Sequence, residues 1–212
     1  MRVICQKIVF SVLTLLATVV PLTAKEIKLV KGGTAEITRV VDGDTVELKR
    51  AIGKGNLVSN RIRLVGIQAP KLPLGRKNFK TWPLADKSKT ALEKLALGKK
   101  VRLSYGGRRM DRHGRLLAHL HLIDGTWIQG VLLADGMARV YSFPDNRAVV
   151  HEMLALQKIA RQNKKGIWRH SFYQIRQLGN LEHRNNSFQL VDGVVQDIAK
   201  LRKKTYINFG EN

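Results

Sequence analysis

Three stretches of the chain carry residue types that could act together on a phosphodiester. Asp42-Gly43-Asp44-Thr45 sits between hydrophobic runs, Arg63 lies in the next run, and Asp111-Arg112-His113-Gly114-Arg115 follows further on. On an extended chain, residues two apart point the same way, so Asp42 and Asp44 can present carboxylate oxygens to one divalent cation. Two separate guanidiniums, one from Arg63 and one from the Asp111–Arg115 turn, can clamp a phosphate through paired hydrogen bonds. Each piece also has an ordinary reading. Asp-Gly is common turn chemistry. Arg63 could occupy the exposed face of a strand that packs Ile62, Leu64 and Ile67, and Arg115 stands among Arg108, Arg109 and Arg112, any of which could be solvated charge.

The balance of charge points the same way. Against 16 Asp and Glu the chain has 38 Lys and Arg, a formal net charge of +22, the footprint of a polyanion partner such as nucleic acid. A basic exported protein facing an anionic envelope has the same footprint. From Gln68 to Trp82 runs a long segment stiffened by Pro70 and Pro73, with Lys71, Arg76, Lys77 and Lys80 as cations. Beside a phosphate site such a loop could follow a nucleic-acid backbone. Tyr141 and Phe143 alternate in an extended run before Pro144, a pattern that ordinary core packing produces.

The order and spacing of these motifs resemble the thermonuclease (staphylococcal nuclease-like) family. The likeness runs from about Ala35 to Trp168 and rests on the Asp-Gly-Asp-Thr run, the Arg63-Leu64-Val65 stretch and the Asp-Arg-x-Gly-Arg turn. It implies an OB-fold barrel and a nuclease site. In that site Asp44, with Asp42, would hold a divalent metal, Ca2+ by family habit, while Arg63 and Arg115 would be the phosphate arginines. Tyr141 and Phe143 would approach the aromatic pair beside the bound base. His113 stands where the family usually has tyrosine and reads as a surface residue.

The likeness breaks at Gln68-Ala69-Pro70-Lys71, where the family pattern has Asp-Thr-Pro-Glu: a second metal ligand and the general base. Gln68 can still offer a neutral amide oxygen to a hard cation. Lys71 is a poorer replacement, since an ammonium is repelled by a dication and is a base only if its pKa falls far below ~10.4. Loss of a positioned base removes ~10²–10⁴ in rate. Glu47 is three residues from Asp44 and faces the other side of its strand. Asp86 belongs to the first turn of a helix, where the dipole favours it.

These residues need a scaffold, and the chain is long enough to build one. Arg2 and Lys7 precede an uncharged run from Ile8 to Ala24, which reads as a signal peptide or an uncleaved N-terminal anchor over residues 1–24. It contains Cys5, the one cysteine, so a cleaved chain has no thiol chemistry. Strands are expected at Thr34–Val41, Thr45–Arg50, Arg61–Ile67, Lys99–Tyr105 and Leu116–Ile123, the first three as a meander. Helices are expected at Pro83–Leu97, opened by the proline, at Trp127–Ala134 and at Arg147–Lys164. That is an α+β chain, mainly β: a five-stranded OB-fold barrel with three helices over residues 35–170. Residues 171–212 form an extension with β segments at Ser187–Val195 and Lys204–Phe209, padding the barrel or opening a second small module.

Two functions remain. One is an exported, periplasmic or secreted, metal-dependent phosphodiester hydrolase acting on DNA or RNA, with Arg63 and Arg115 catalytic, Asp44, Asp42 and Gln68 on the metal, and Lys71, Arg76, Lys77, Tyr141 and Phe143 on the substrate. It would act as a monomer with no protein partner, touching a membrane only through an uncleaved N-terminus. The other is an OB-fold module that binds nucleic acid or another polyanion without hydrolysis.

Overall fold

The computed structural model describes residues 29–177, 187–202 and 204–209. The segment read as a signal peptide or anchor, Cys5 included, lies outside the described residues. Among the described residues no helix is long and apolar enough to cross a membrane.

Five strands close into a barrel in the order β1-β2-β3-β6-β5: β1 (Val30–Asp42), β2 (Thr45–Ile52), β3 (Ser59–Leu64), β5 (Lys100–Tyr105) and β6 (Leu116–Leu122). β1, β2 and β3 form the expected antiparallel meander, β5 closes on β1, and β3 runs parallel to β6. Alternation does the building. Ile37, Val46, Ile62, Leu64, Leu103 and Leu120 point inward and are buried in one apolar cluster. Three helices complete the fold: α1 (Ala85–Ala96), α2 (Ile128–Ala134) and α3 (Val150–Gln162). Together they form the α+β OB-fold barrel that the strand and helix periodicities predict.

Two boundaries differ from the sequence expectation in ways that shape the site. The strand expected at Arg61–Ile67 breaks at Gly66, whose φ of 81° suits glycine. Beyond it, Ile67–Gln68 forms a separate short strand, β4, pairing antiparallel with β7 (Arg139–Val140), so that Gln68 faces Arg139. Similarly, α1 begins at Ala85 and not at Pro83, because Leu84 sits in the left-handed region at φ 66°. The buried stripe of α1 is Ala85, Ser88, Leu92 and Ala96, with Ala91 and Leu95 only partly covered.

Helix α1 comes so close to the Asp42–Asp44 turn that Gly43 has no room for a side chain. A Cβ there would lie 2.1 Å from Ser88 Oγ and 2.7 Å from Ala69 Cβ. Ser88 is itself held by donating to the Met137 carbonyl at 2.6 Å. The turn is therefore fixed from behind by a helix, and its aspartates point where that helix sets them.

Among the described residues the extension does not join the barrel. β8 (Ile175–Gln177) pairs in parallel with β9 (Leu190–Asp192), and β10 (Asp197–Leu201) forms a hairpin with β11 (Lys204–Asn208). Phe188 reaches back to the body of the protein, 4.4 Å between ring centres from Trp82 and 5.8 Å from Phe172. Trp82 ends the Gln68–Trp82 loop, and its N–H donates to the Lys71 carbonyl at 2.9 Å.

Candidate functional site

Thr45 is the register partner of Arg63 across β2 and β3, which puts Asp44 at the head of Arg63. Their side chains pair, Arg63 Nη2 to Asp44 Oδ2, at 3.1 Å, with 11% and 2% of the two side chains exposed. The same guanidinium donates to the carbonyls of Leu64 and Ile67. Asp44 also accepts from Thr45 Oγ1 at 3.1 Å and from the Ala69 N–H at 2.9 Å. Burial opposes its charge, but Arg63, Lys71 and the Ala69 N–H outweigh it and hold the carboxyl below its usual range. Asp42 goes the other way. Burial, then the charge of Asp44, pushes it up to about 6, although its Oδ1 accepts from the Asp44 N–H at 3.0 Å.

Across the cleft, the Asp111–Arg115 turn folds on itself. Asp111 accepts from the backbone N–H groups of His113 and Arg115, at 2.8 and 3.0 Å, and pairs with the Arg115 guanidinium at 2.6 and 2.7 Å. Against burial, these bonds hold Asp111 below the ordinary carboxylate range. His113 is exposed and accepts from Arg112 Nε at 3.1 Å, which agrees with its reading as a surface residue.

Arg63 and Arg115 line the same cleft of about 600 Å³, together with Gln68 and Lys71. Tyr141 and Phe143 stand on its rim edge to face, 5.0 Å apart at 81°, and are 39% and 52% exposed. They are not core residues. Asp86 lies in the first turn of α1. Glu47 is taken by Arg39 and Arg61 on the outer surface, and their hydrogen bonds hold its carboxyl well below the usual range.

Other expected site residues lie apart from the cleft or have partners of their own. Arg76 and Lys77 do not line the cleft. Arg76 curls back instead to donate to the Leu72 and Pro73 carbonyls and to cover the Phe79 ring at 3.7 Å. Gln68 Oε1, expected to face a cation, accepts instead from Arg139 Nη2 in this structure. Arginine can only donate, so this contact also fixes which way the amide faces. Nothing in the sequence near Gln68 shows it, since Arg139 is 71 residues away. Arg139 is held further by the rings of Tyr141 and Phe188, at 5.0 and 5.4 Å.

A closed barrel of this strand order with three helices defines an OB-fold protein. Residues 61–170, just over half of the chain, match the family described as "Staphylococcal nuclease homologue", and the chain belongs to that family. It is 30% identical over 139 residues to the SPbeta prophage-derived endonuclease YokF and, over the same length, to the Endonuclease YncB, both of Bacillus subtilis (strain 168). Each alignment covers 65% of this chain, and the chain spans 44% and 62% of the two relatives. The Endonuclease YhcR of the same organism is 29% identical over 143 residues, 62% of this chain and 11% of its own length.

The family generally depends on Ca2+, and the residues here do not fit that ion. Calcium takes six to eight oxygens, several of them from carboxylates. Among the described residues no three His, Cys, Asp or Glu side chains gather to hold a metal. Asp44 already has a guanidinium partner, Gln68 gives its oxygen to Arg139, and an ammonium stands where the family has an acid.

Proposed function

We propose that the chain is an exported, monomeric phosphodiesterase that seats one phosphodiester of a DNA or RNA strand between Arg63 and Arg115. The observation that carries this reading is that two guanidiniums, on β3 and on a distant turn, face one cleft whose rim is aromatic. Each is already aimed by a carboxylate, Asp44 or Asp111, so the planar forks are oriented before substrate arrives. Charge that grows on the phosphoryl oxygens during attack by water is stabilised by these donors. Tyr141 and Phe143 offer faces on which an adjacent base can stack. The endonuclease names of the relatives support the same class of reaction.

The second reading, binding without hydrolysis, is favoured by one observation: a lysine and an arginine-bound glutamine occupy the loop where the family pattern has two acids. Digestion of end-labelled single-stranded DNA, duplex DNA and RNA by the purified protein, with CaCl2 or with EDTA, separates the two. Cleavage that disappears in Arg115→Ala supports the hydrolase. Retention of uncut strand by the wild type under every condition selects the binder. Export is tested by fractionating the producing cells, and protein confined to the cytoplasm would remove that part of the proposal.

A further inference from the structure

Beside Arg63 the side chains that line the cleft are Gln68 and Lys71, not the two aspartates. Asp42 and Asp44 are 7% and 2% exposed and are absent from its described lining; Gln68 and Lys71 are what the cleft meets there. Gln68 Oε1 is turned to Arg139, so its amide N–H groups are what remain for the cleft. Lys71 is partly buried and lines the cleft together with Arg63 and Arg115.

The wider lining agrees. Arg63, Lys71, Arg108, Arg112 and Arg115 contribute positive charge. Among the described lining residues only Asp111 and Asp145 contribute negative charge, and they are paired with Arg115 and Arg108. Such a surface attracts an anion directly and repels a dication.

Resting on the phosphodiester reading above, we infer that Lys71, with the amide N–H of Gln68, forms a cation-independent phosphate subsite in which the ammonium supplies the positive charge that a divalent metal would otherwise bring. Arg139 is a positioning residue: it holds the Gln68 oxygen away from the cleft and is itself held by Tyr141 and by Phe188 of the extension.

The test is binding of a fluorescently labelled single-stranded oligodeoxynucleotide to the full chain at fixed salt, with EDTA or with millimolar CaCl2. The expected result is the same affinity in both. Lys71→Met should weaken binding about tenfold and lower the log–log salt slope by about one, while Lys71→Arg preserves both. Arg139→Met should leave the salt slope in EDTA unchanged and make affinity respond to CaCl2 by freeing the Gln68 oxygen, and Arg139→Lys should restore indifference to calcium. Binding by the wild type only in calcium would overturn the subsite and leave the function standing. Binding under neither condition would sink the function itself. Should a variant fail to fold, as judged by its thermal melt, the wild-type comparison of EDTA and calcium still decides.

Discussion

Arg139 donates to Gln68 Oε1 across the short β4–β7 pair, and this one contact turns a potential metal oxygen away from the cleft that Arg63 and Arg115 share. The consequence is a site rich in donors and poor in free acceptors. Its behaviour toward salt and toward substitution of its arginines follows from that.

Affinity for single-stranded DNA should fall steeply with salt. Each phosphate neutralised by a lysine or arginine releases counterions, so several contacts give a log–log slope of several units. Titration between 50 and 300 mM NaCl measures it, and a flat response would rule out the nucleic-acid reading.

Arg115→Ala should lower turnover by roughly 10²-fold while leaving folding within ~1 kcal/mol, since its partner Asp111 is near the surface and keeps its two backbone hydrogen bonds. Single-turnover cleavage and urea unfolding on the same preparation check the two halves. Equal losses of binding and turnover would mean that Arg115 only holds substrate.

Arg63→Ala should behave differently, because it strands Asp44 as a buried carboxylate. Breaking such a pair from one side costs ~3–5 kcal/mol, whereas Arg63→Met with Asp44→Asn should recover much of that loss. A double-mutant cycle by denaturant unfolding reads the coupling. Full additivity of the two changes would show that the pair is energetically idle.

Gly43→Ala should destabilise the protein by ~1–3 kcal/mol or more, since the new methyl group collides with Ser88 and Ala69. Adding Ser88→Gly removes the nearer obstruction and should return part of the melting temperature. If Gly43→Ala melts like the wild type, α1 does not press on the turn as described.

Acid should weaken the fold through His119. It is buried, its Nδ1 has no hydrogen-bond partner among the described residues, and burial followed by the charge of His121 lowers it to about 4. A depressed imidazole means that the folded state resists protonation. Its contribution is complete above the unfolded value near 6.5 and is lost as pH falls toward 4, by up to ~3 kcal/mol. Asp42, raised to about 6, opposes it in the same window, because its contribution is present at low pH and is lost as pH rises through 6. Denaturant unfolding from pH 7.5 to 4.5 should therefore show a flatter acid loss in His119→Leu and a steeper one in Asp42→Asn. Parallel curves for all three proteins would contradict both assignments.

Local physics made much of this protein readable in advance. Alternation buries Ile37, Val46 and Leu64 whatever surrounds them, helical spacing buries Leu92 and Met153, and Asp42-Gly43-Asp44-Thr45 makes a turn that aims two carboxylates. The departure at Gln68 and Lys71 is equally local, being a matter of which atoms those side chains carry. What only the tertiary structure decided is which of those atoms are free. Gly66 splits one strand into two, the second half pairs with a segment 71 residues on, and Arg139 claims the Gln68 oxygen. Arg76 and Lys77 look like strand-tracking cations in sequence, yet Arg76 satisfies its own loop and neither reaches the cleft. Composition sets the charge that a site can draw on. Long-range hydrogen bonds, which no local pattern encodes, determine which charges face the ligand.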